Sequence, residues 1–358
     1  MKTYLGIDLG RKTSHFYASD EEGNKLRAGT LENSPFGFMS LAADLRRDGG
    51  EVLVAMEPGN QAFELARAMQ EEAGADVFMV ETFQNALIRK STQKTDRLDA
   101  RMLAKQRRLH MLPPRPVYIP TREEEDLRHM IEARGRLVTE RTRLSNTTLR
   151  LCDRRQYRVR RAAFSTRIGW DRLLEEAKRW SQADQILVRH HYDRFIQLQK
   201  QLGEINSFIE KHINDNWKDE YELLQTIPGV GPIVAATYLA RVGITPRFSN
   251  ARKVCRYTGI APGIRQSGEK TGGRGITKAG HHRIRAVAVN AAVAIVIRAN
   301  HEDALYQWYL RVKKRRGWAK ARTALARKIL TIMYGVIKTG TPYDPSKVNA
   351  NLSSAATD

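Results

Sequence analysis

The sequence predicts an α/β domain at the N-terminus followed by a mainly α-helical remainder. Three observations predict it. Up to residue 112, short apolar stretches alternate with stretches of helical period. Pro113, Pro114, Pro116 and Pro120 then interrupt the pattern, because proline continues neither a helix nor a central strand. Beyond them lie long segments whose apolar residues recur every three or four positions.

The first domain is read over residues 1–112. Residues 3–9 (TYLGIDL) form an apolar strand that contains Asp8 near its end. Residues 15–19 and 25–31 read as two more strands, joined by a turn at Glu22-Gly23-Asn24. Residues 35–47 place Phe38, Leu41, Ala42 and Leu45 on one helical face. Residues 52–56 make a strand, followed by Glu57-Pro58-Gly59. A helix over 61–73, a strand over 76–80 and a helix from about 95 to 107 complete the order β-β-β-α-β-α-β-α. That is the order of an RNase H-like domain.

Residues 113–121 read as a linker. Residues 122–216 read as a coiled-coil hairpin, with one polar helix from 122 to about 152 and a second from about 183 to 213. In the second, Phe195, Leu198, Leu202, Ile205 and Ile209 step by three and four, a heptad spacing. Between them lies a basic tip of Arg154, Arg155, Arg158, Arg160 and Arg161. A C-terminal domain is read over 217–339. It comprises a helix opened by Ile227-Pro228-Gly229-Val230-Gly231, a Gly-rich basic loop at 263–280, a helix at about 282–299 and another at 302–338. Residues 340–358, rich in Pro, Ser, Asn and Ala, read as a disordered tail.

Charge separates the two parts. Residues 1–115 hold 17 Lys/Arg and 16 Asp/Glu, leaving 44 and 23 of the chain's 61 and 39 for the remainder. The net charge of +22 therefore belongs almost wholly to the second part. Its cations are spread over several predicted elements, not gathered in one tail. That favours nucleic acid over a solubility or membrane-surface charge. The two cysteines, Cys152 and Cys255, have no metal-ligand spacing, and the N-terminus has no signal-peptide pattern. The most apolar stretch, residues 286–297, is too short to span a bilayer. A cytoplasmic protein is expected.

Four carboxylates take positions with chemical meaning. Asp8 ends the first strand, Glu57 follows the fourth, and Asp96 and Asp99 share one helical face at i, i+3. In the RNase H-like order the first and fourth strands are neighbours and the last helix crosses their ends, so the four converge. Carboxylates so placed need cations, and hard oxygen donors suit Mg²⁺ or Mn²⁺. Two such ions about 4 Å apart clamp the attacking and leaving oxygens of a phosphodiester. Lys94 and Arg97 flank the aspartates. GIDLG also opens actin-like ATPases and sugar kinases, but no second Asp-Gly phosphate loop follows.

In the second part, residues 227–231 resemble the turn of a helix-hairpin-helix module, in which Gly229 and Gly231 bring backbone N–H groups to phosphate. A plain tight turn is the alternative. Arg265, Arg274, Lys278, Arg283 and Arg285, in and after the Gly-rich stretch, are candidate nucleic-acid contacts. Ser267 within it reads, on local chemistry alone, as a turn residue. Residues 311–330 hold nine cations and no acid, with Trp308 and Trp318 beside them, a pattern suited to tracking phosphates and stacking bases.

These motifs together resemble the Piv/MooV-type DEDD insertion-sequence transposases. GIDLG, AMEPGN and KTDRLDA match their acidic tetrad, and SGEKTGGRGITKAGHHRIR (267–285) matches their C-terminal signature. The resemblance spans nearly the whole chain. It implies a RuvC-like first domain with Asp8, Glu57, Asp96 and Asp99 as catalytic Mg²⁺ ligands. It makes Ser267 the catalytic nucleophile, with a phosphoserine link to DNA. It further implies a site composed between subunits of a homodimer that pairs into a tetramer. Donor and target DNA would be chosen by a structured non-coding bridge RNA, in a bacterial or archaeal cell. Gln266 stands where many relatives carry a second serine, so Ser267 is the sole candidate. Two other functions are weighed: a junction resolvase using metal-activated water, and a non-catalytic nucleic-acid-binding protein, against which the four carboxylates argue.

Overall fold

The computed structural model describes residues 1–46, 49–59, 61–81, 95–244, 247–267 and 270–350, with backbone alone at 264–267, 270–274 and 349–350. The chain divides into two compact units, Met1–Thr121 and Arg122–Asp358.

The first unit is a five-stranded sheet of β1 (Lys2–Asp8), β2 (Thr13–Ser19), β3 (Lys25–Glu32), β4 (Glu51–Met56) and β5 (Asp76–Met79), in the order β3-β2-β1-β4-β5. β1 and β2 pair antiparallel, as do β2 and β3; β1 and β4 pair parallel, as do β4 and β5. With α1 (Pro35–Leu45), α2 (Ala62–Glu71) and α3 (Asp96–Arg108), the order read from the sequence is the one found.

β1 is buried along both faces, as a central strand covered on each side must be. One face carries Leu5, Ile7, Val54 and Met56 and packs with Phe38, Leu41, Leu65 and Met69 of α1 and α2. The other receives α3, with Ala55, Val80 and Leu103 at its core. Gly6 makes that approach possible. A Cβ there would lie 2.0 Å from the Ala100 carbonyl oxygen and 2.4 Å from the Ala104 nitrogen, so α3 rests backbone to backbone on β1. α3 starts where Thr95 accepts the Leu98 N–H on its hydroxyl, an N-cap. Residues 113–121, read as a linker, lie against this unit. The Val117 N–H donates to the Met79 carbonyl at 2.7 Å, Arg67 donates to the Pro120 carbonyl, and Val117 and Ile119 pack on the core. Apolar residues at alternate positions allow a proline-broken segment to line a sheet edge without being a strand.

The second unit is mostly helical. α4 (Arg122–Arg154) and α6 (Gln182–Asn216) pack together. Arg134 meets Asn206, Arg141 meets Gln199 and Thr148 meets His191, so the pair is antiparallel. Phe195, Leu198, Leu202 and Ile209 are buried, as the heptad spacing requires. The connection is more than a basic tip. A 3₁₀ turn (Arg161–Ser165) and α5 (Arg167–Ala177) close a separate core of Leu151, Cys152, Phe164, Trp170, Leu173 and Phe195, with the Trp170 indole donating to the Phe164 carbonyl. The five arginines stay exposed around it.

The remaining elements are α7 (Lys218–Gln225), α8 (Pro232–Arg241), α9 (Ala251–Tyr257), the hairpin β6 (Pro262–Ser267) and β7 (Lys270–Ile276), α10 (His282–Arg298), α11 (Ala304–Arg316), α12 (Trp318–Thr339) and α13 (Lys347–Ala350). Four sequence expectations change here. Residues 122–216 are not separate from the C-terminal helices: Leu127, Ile131, Ile209 and Ile213, at the open end of the helical pair, share one core with Tyr238, Ala288 and Leu325. The Gly-rich stretch, expected as a loop, is a β-hairpin through residue 276; its glycines hide the strand signal. The helix expected over 302–338 is two, broken at Gly317, whose φ of 77° a side chain would resist. Residues 341–350 are folded, not disordered: the Tyr343 N–H donates to the Thr226 hydroxyl at 2.9 Å and Val348 is buried in the core. Residues 351–358 lie outside the described residues. Among the described residues no helix is long and apolar enough to cross a membrane.

Candidate active site

The acidic residues are placed by three strand and helix registers. Ile7 pairs with Met56 in the parallel β1–β4 ladder, so Asp8 and Glu57 occupy the next step at the same sheet end. Side chains alternate along a strand. Asp8 therefore shares the face of Gly6, and Glu57 shares that of Ala55, which is the α3 face. α3 runs opposite to β1. Its Arg107 pairs with Asp76 at the start of β5, and its Arg108 donates to the Glu21 carbonyl beyond the end of β2. Its first turn, with Asp96 and Asp99, accordingly lies at the Asp8 end. All four carboxylates thus belong to one face at one end of the sheet.

His15 joins them, and sequence reasoning missed it. It is the cross-strand partner of Asp8. Its Nε2 stands 4.0 Å from an Asp96 carboxylate oxygen and its Nδ1 3.3 Å from the Thr30 hydroxyl. Only the β1–β2 register identifies it, and the connection over residues 9–12 has no turn signature that fixes a register. A cleft of about 400 Å³ opens beside the same strand ends, lined by Arg11, Lys12, Asn33, Gly59 and Gln61. Its two cations sit three and four residues beyond Asp8 and suit a phosphate. Among the described residues no three His, Cys, Asp or Glu side chains form a ready metal cluster. The donor set itself, four carboxylates on one face, fits a hard divalent cation. Lys94 lies outside the described residues, and Arg97 is exposed.

In the second unit Ser267 ends β6, at the tip of the hairpin, paired across to Lys270. Arg265 pairs with Gly272 and Arg274 with Gly263, so both stand on the hairpin strands. The hairpin base is latched: Arg285 donates to the carbonyls of Thr258 at 2.9 Å and Lys278 at 3.2 Å, and the Thr277 N–H donates to the Ala261 carbonyl. Lys278 is exposed with a φ of 55°.

Two transposase family models match the chain: a DEDD transposase model of the IS110 type over residues 5–154, and the transposase IS116/IS110/IS902 family over residues 221–308. The chain carries the DEDD-transposase domains of the IS110/IS116/IS902 family. It is 24% identical over 93% of its length to the transposase for insertion sequence element IS1111A of Coxiella burnetii, covering 89% of that protein. To the transposase for insertion sequence element IS1328 of Yersinia enterocolitica it is 25% identical over 95% of its length and 98% of the relative's. To the pilin gene-inverting protein of Moraxella bovis it is 29% identical over 44% of its length and 47% of the relative's.

In these transposase domains several residues expected to touch nucleic acid are turned inward. Arg283 pairs with Glu132 of α4, which also accepts from Arg241 at 3.0 Å. Burial pushes the Glu132 carboxyl up, but the hydrogen bond and charge of Arg283, with Arg241, outweigh it and hold it below the usual range. Arg285 latches the hairpin base. Gly229 has a φ of 79°, and a Cβ there would meet the Ala291 carbonyl at 2.6 Å, so it serves contact with α10. Gly231 precedes α8 as its N-cap. With Ile227 and Val230 buried, residues 227–231 form a tight turn between α7 and α8. Beside them His281 stacks between Tyr257 and His282. Burial, helped by the charge of Arg241 and opposed by Glu132, pushes its imidazole down to about 4.

Proposed function

We propose that this chain is an insertion-sequence transposase that cuts and rejoins DNA strands, with Asp8, Glu57, Asp96 and Asp99 as its acidic centre and Ser267 as nucleophile. The observation that supports the reading is the register that puts the four carboxylate positions on one face at the end of β1 and β4, inside a chain matched by both family models. The carboxylates would hold Mg²⁺ or Mn²⁺, which supplies charge neutralisation at the phosphate. Arg11 and Lys12, in the adjoining cleft, position the DNA backbone.

Ser267 Oγ gives up its proton to a base and forms an ester bond with phosphorus, and one deoxyribose oxygen leaves and takes a proton. Attack on that ester by a hydroxyl of another strand reverses the step and restores the serine. Bond energy is conserved, so no ATP is required. The resemblance to the Piv/MooV-type enzymes supports a site composed between subunits, a dimer that pairs into a tetramer, and guidance by a structured bridge RNA.

The test is a covalent adduct on a denaturing gel, with Mg²⁺, the element's non-coding RNA and labelled donor and target DNA. The adduct is expected with the wild type and lost in both Ser267→Ala and Asp8→Ala. An adduct that persists in Ser267→Ala contradicts the role of the serine. Cleavage without an adduct, lost only in Asp8→Ala, identifies a water-using resolvase.

A further inference from the structure

Most cations with defined partners in the helical unit are held by carboxylates: Arg128 by Glu124, Arg155 by Asp184, Arg194 by Glu140, and Arg241 and Arg283 by Glu132. The junction of α11 and α12 differs. Residues 313–320 are all exposed and include Lys313, Lys314, Arg315, Arg316 and Lys320. Among the described residues none of these five, nor Arg322, has a carboxylate partner.

In their midst stands Trp318, 60% exposed, with the Arg322 guanidinium 4.9 Å from its ring centroid. Cations in the last turn of α11 are favoured by the helix dipole, and that alone would account for some of them. It does not account for a large aromatic side chain left in water beside them. Trp308, in the same stretch, packs against the core. Gly317, with its positive φ, ends α11 and starts α12, so Trp318 directly follows the break. The guanidinium over the ring holds it in place by a cation–π contact while leaving most of its surface to solvent.

We infer that this junction is a stacking platform for a single-stranded stretch of nucleic acid: Trp318, braced by Arg322, takes an unpaired base, and Lys313, Lys314, Arg315 and Arg316 take the flanking phosphates. The inference rests on the proposed nucleic-acid function and adds a site outside both stretches matched by the family models. A flat aromatic surface selects unpaired bases, because bases within a duplex are already stacked. The four cations add affinity without reading sequence.

The full-length protein is titrated with labelled oligo-dT and oligo-U of about a dozen nucleotides, with a duplex of equal length, and with vesicles containing anionic phospholipid. Trp318→Ala is expected to weaken single-strand binding about tenfold, to change duplex binding less than about twofold, and to leave circular dichroism unchanged. Trp318→Phe keeps most of the affinity. Each of Lys313→Ala and Arg316→Ala lowers the salt slope on single strands by about 0.7. The comparison of oligo-dT with oligo-U tells which strand chemistry is preferred. Unchanged single-strand affinity in Trp318→Ala overturns the platform, as does an equal loss on duplex and single strand. Trp318-dependent binding to vesicles with no effect on oligonucleotides also overturns it, in favour of a lipid surface. Wild-type protein that binds no nucleic acid at all overturns the proposed function as well; nucleic-acid binding whose single-strand affinity is unchanged in Trp318→Ala overturns the platform alone.

Discussion

In the sheet unit, Asp8, Glu57, Asp96 and Asp99 occupy positions on one face at one sheet end, the face that α3 covers. In the helical unit, several carboxylates hold arginines across the fold: Glu132 joins α4 to α8 and α10, and Glu140 joins α4 to α6. The difference separates two uses that acidic residues can have. Like charges brought together raise the energy of a fold and are retained for what they bind. Opposite charges brought together stabilise it, and their loss is felt as stability. Under the proposed function, the sheet unit, with nearly balanced charge, keeps these four acids for binding, whereas the strongly basic helical unit uses several of its acids as struts and presents the cations that remain.

The largest expected effect breaks the sheet unit. Gly6→Ala puts a methyl against the backbone of α3, which cannot give way as a flexible side chain would. A loss of about 3 kcal/mol is expected in denaturant unfolding of the sheet unit, with strand cleavage lost as Asp96 and Asp99 move with the helix. Unchanged stability would show that α3 does not rest on β1.

Next comes the strut. Glu132→Gln leaves Arg241 and Arg283 without their shared charge and should destabilise the helical unit by about 2 kcal/mol, read from its own unfolding transition. If the sheet unit's transition moves instead, the division of roles is wrong.

The smallest effect sharpens the same network. His281 titrates near 4 when folded, below its ordinary value of 6.5, because it is buried beside Arg241. The unfolded chain takes up the proton first, so the contribution is complete above about pH 6.5 and is lost as the pH falls toward 4. Allowing for partial solvent access, about 1 kcal/mol should disappear over that window. His281→Gln should flatten the difference, and parallel pH profiles for variant and wild type would contradict it.

Much of the sheet unit was legible because strands and helices there follow their own periods. The order of eight elements, and the placing of Asp8 and Glu57 at neighbouring strand ends, follow from the order of apolar runs. His15 was not legible, since its partnership with Asp8 is a matter of register across an irregular turn. In the helical unit local signals misled. Glycines concealed the hairpin that bears Ser267, and arginine-rich flanks concealed the Trp170 core. Arg283 and Arg285 read as phosphate ligands because a sequence does not reveal that Glu132, 151 residues away from Arg283, and the Thr258 carbonyl already hold them.

Under the proposed function half of the chemistry falls to each unit, with the acids in one and Ser267 in the other. Mixing inactive proteins tests this most directly. Asp8→Ala retains Ser267, and Ser267→Ala retains the tetrad. If the halves come from different subunits, the mixture should restore a part of the covalent adduct that neither variant forms alone. A mixture as inactive as its components, under conditions in which wild-type protein forms the adduct, would contradict a site shared between subunits.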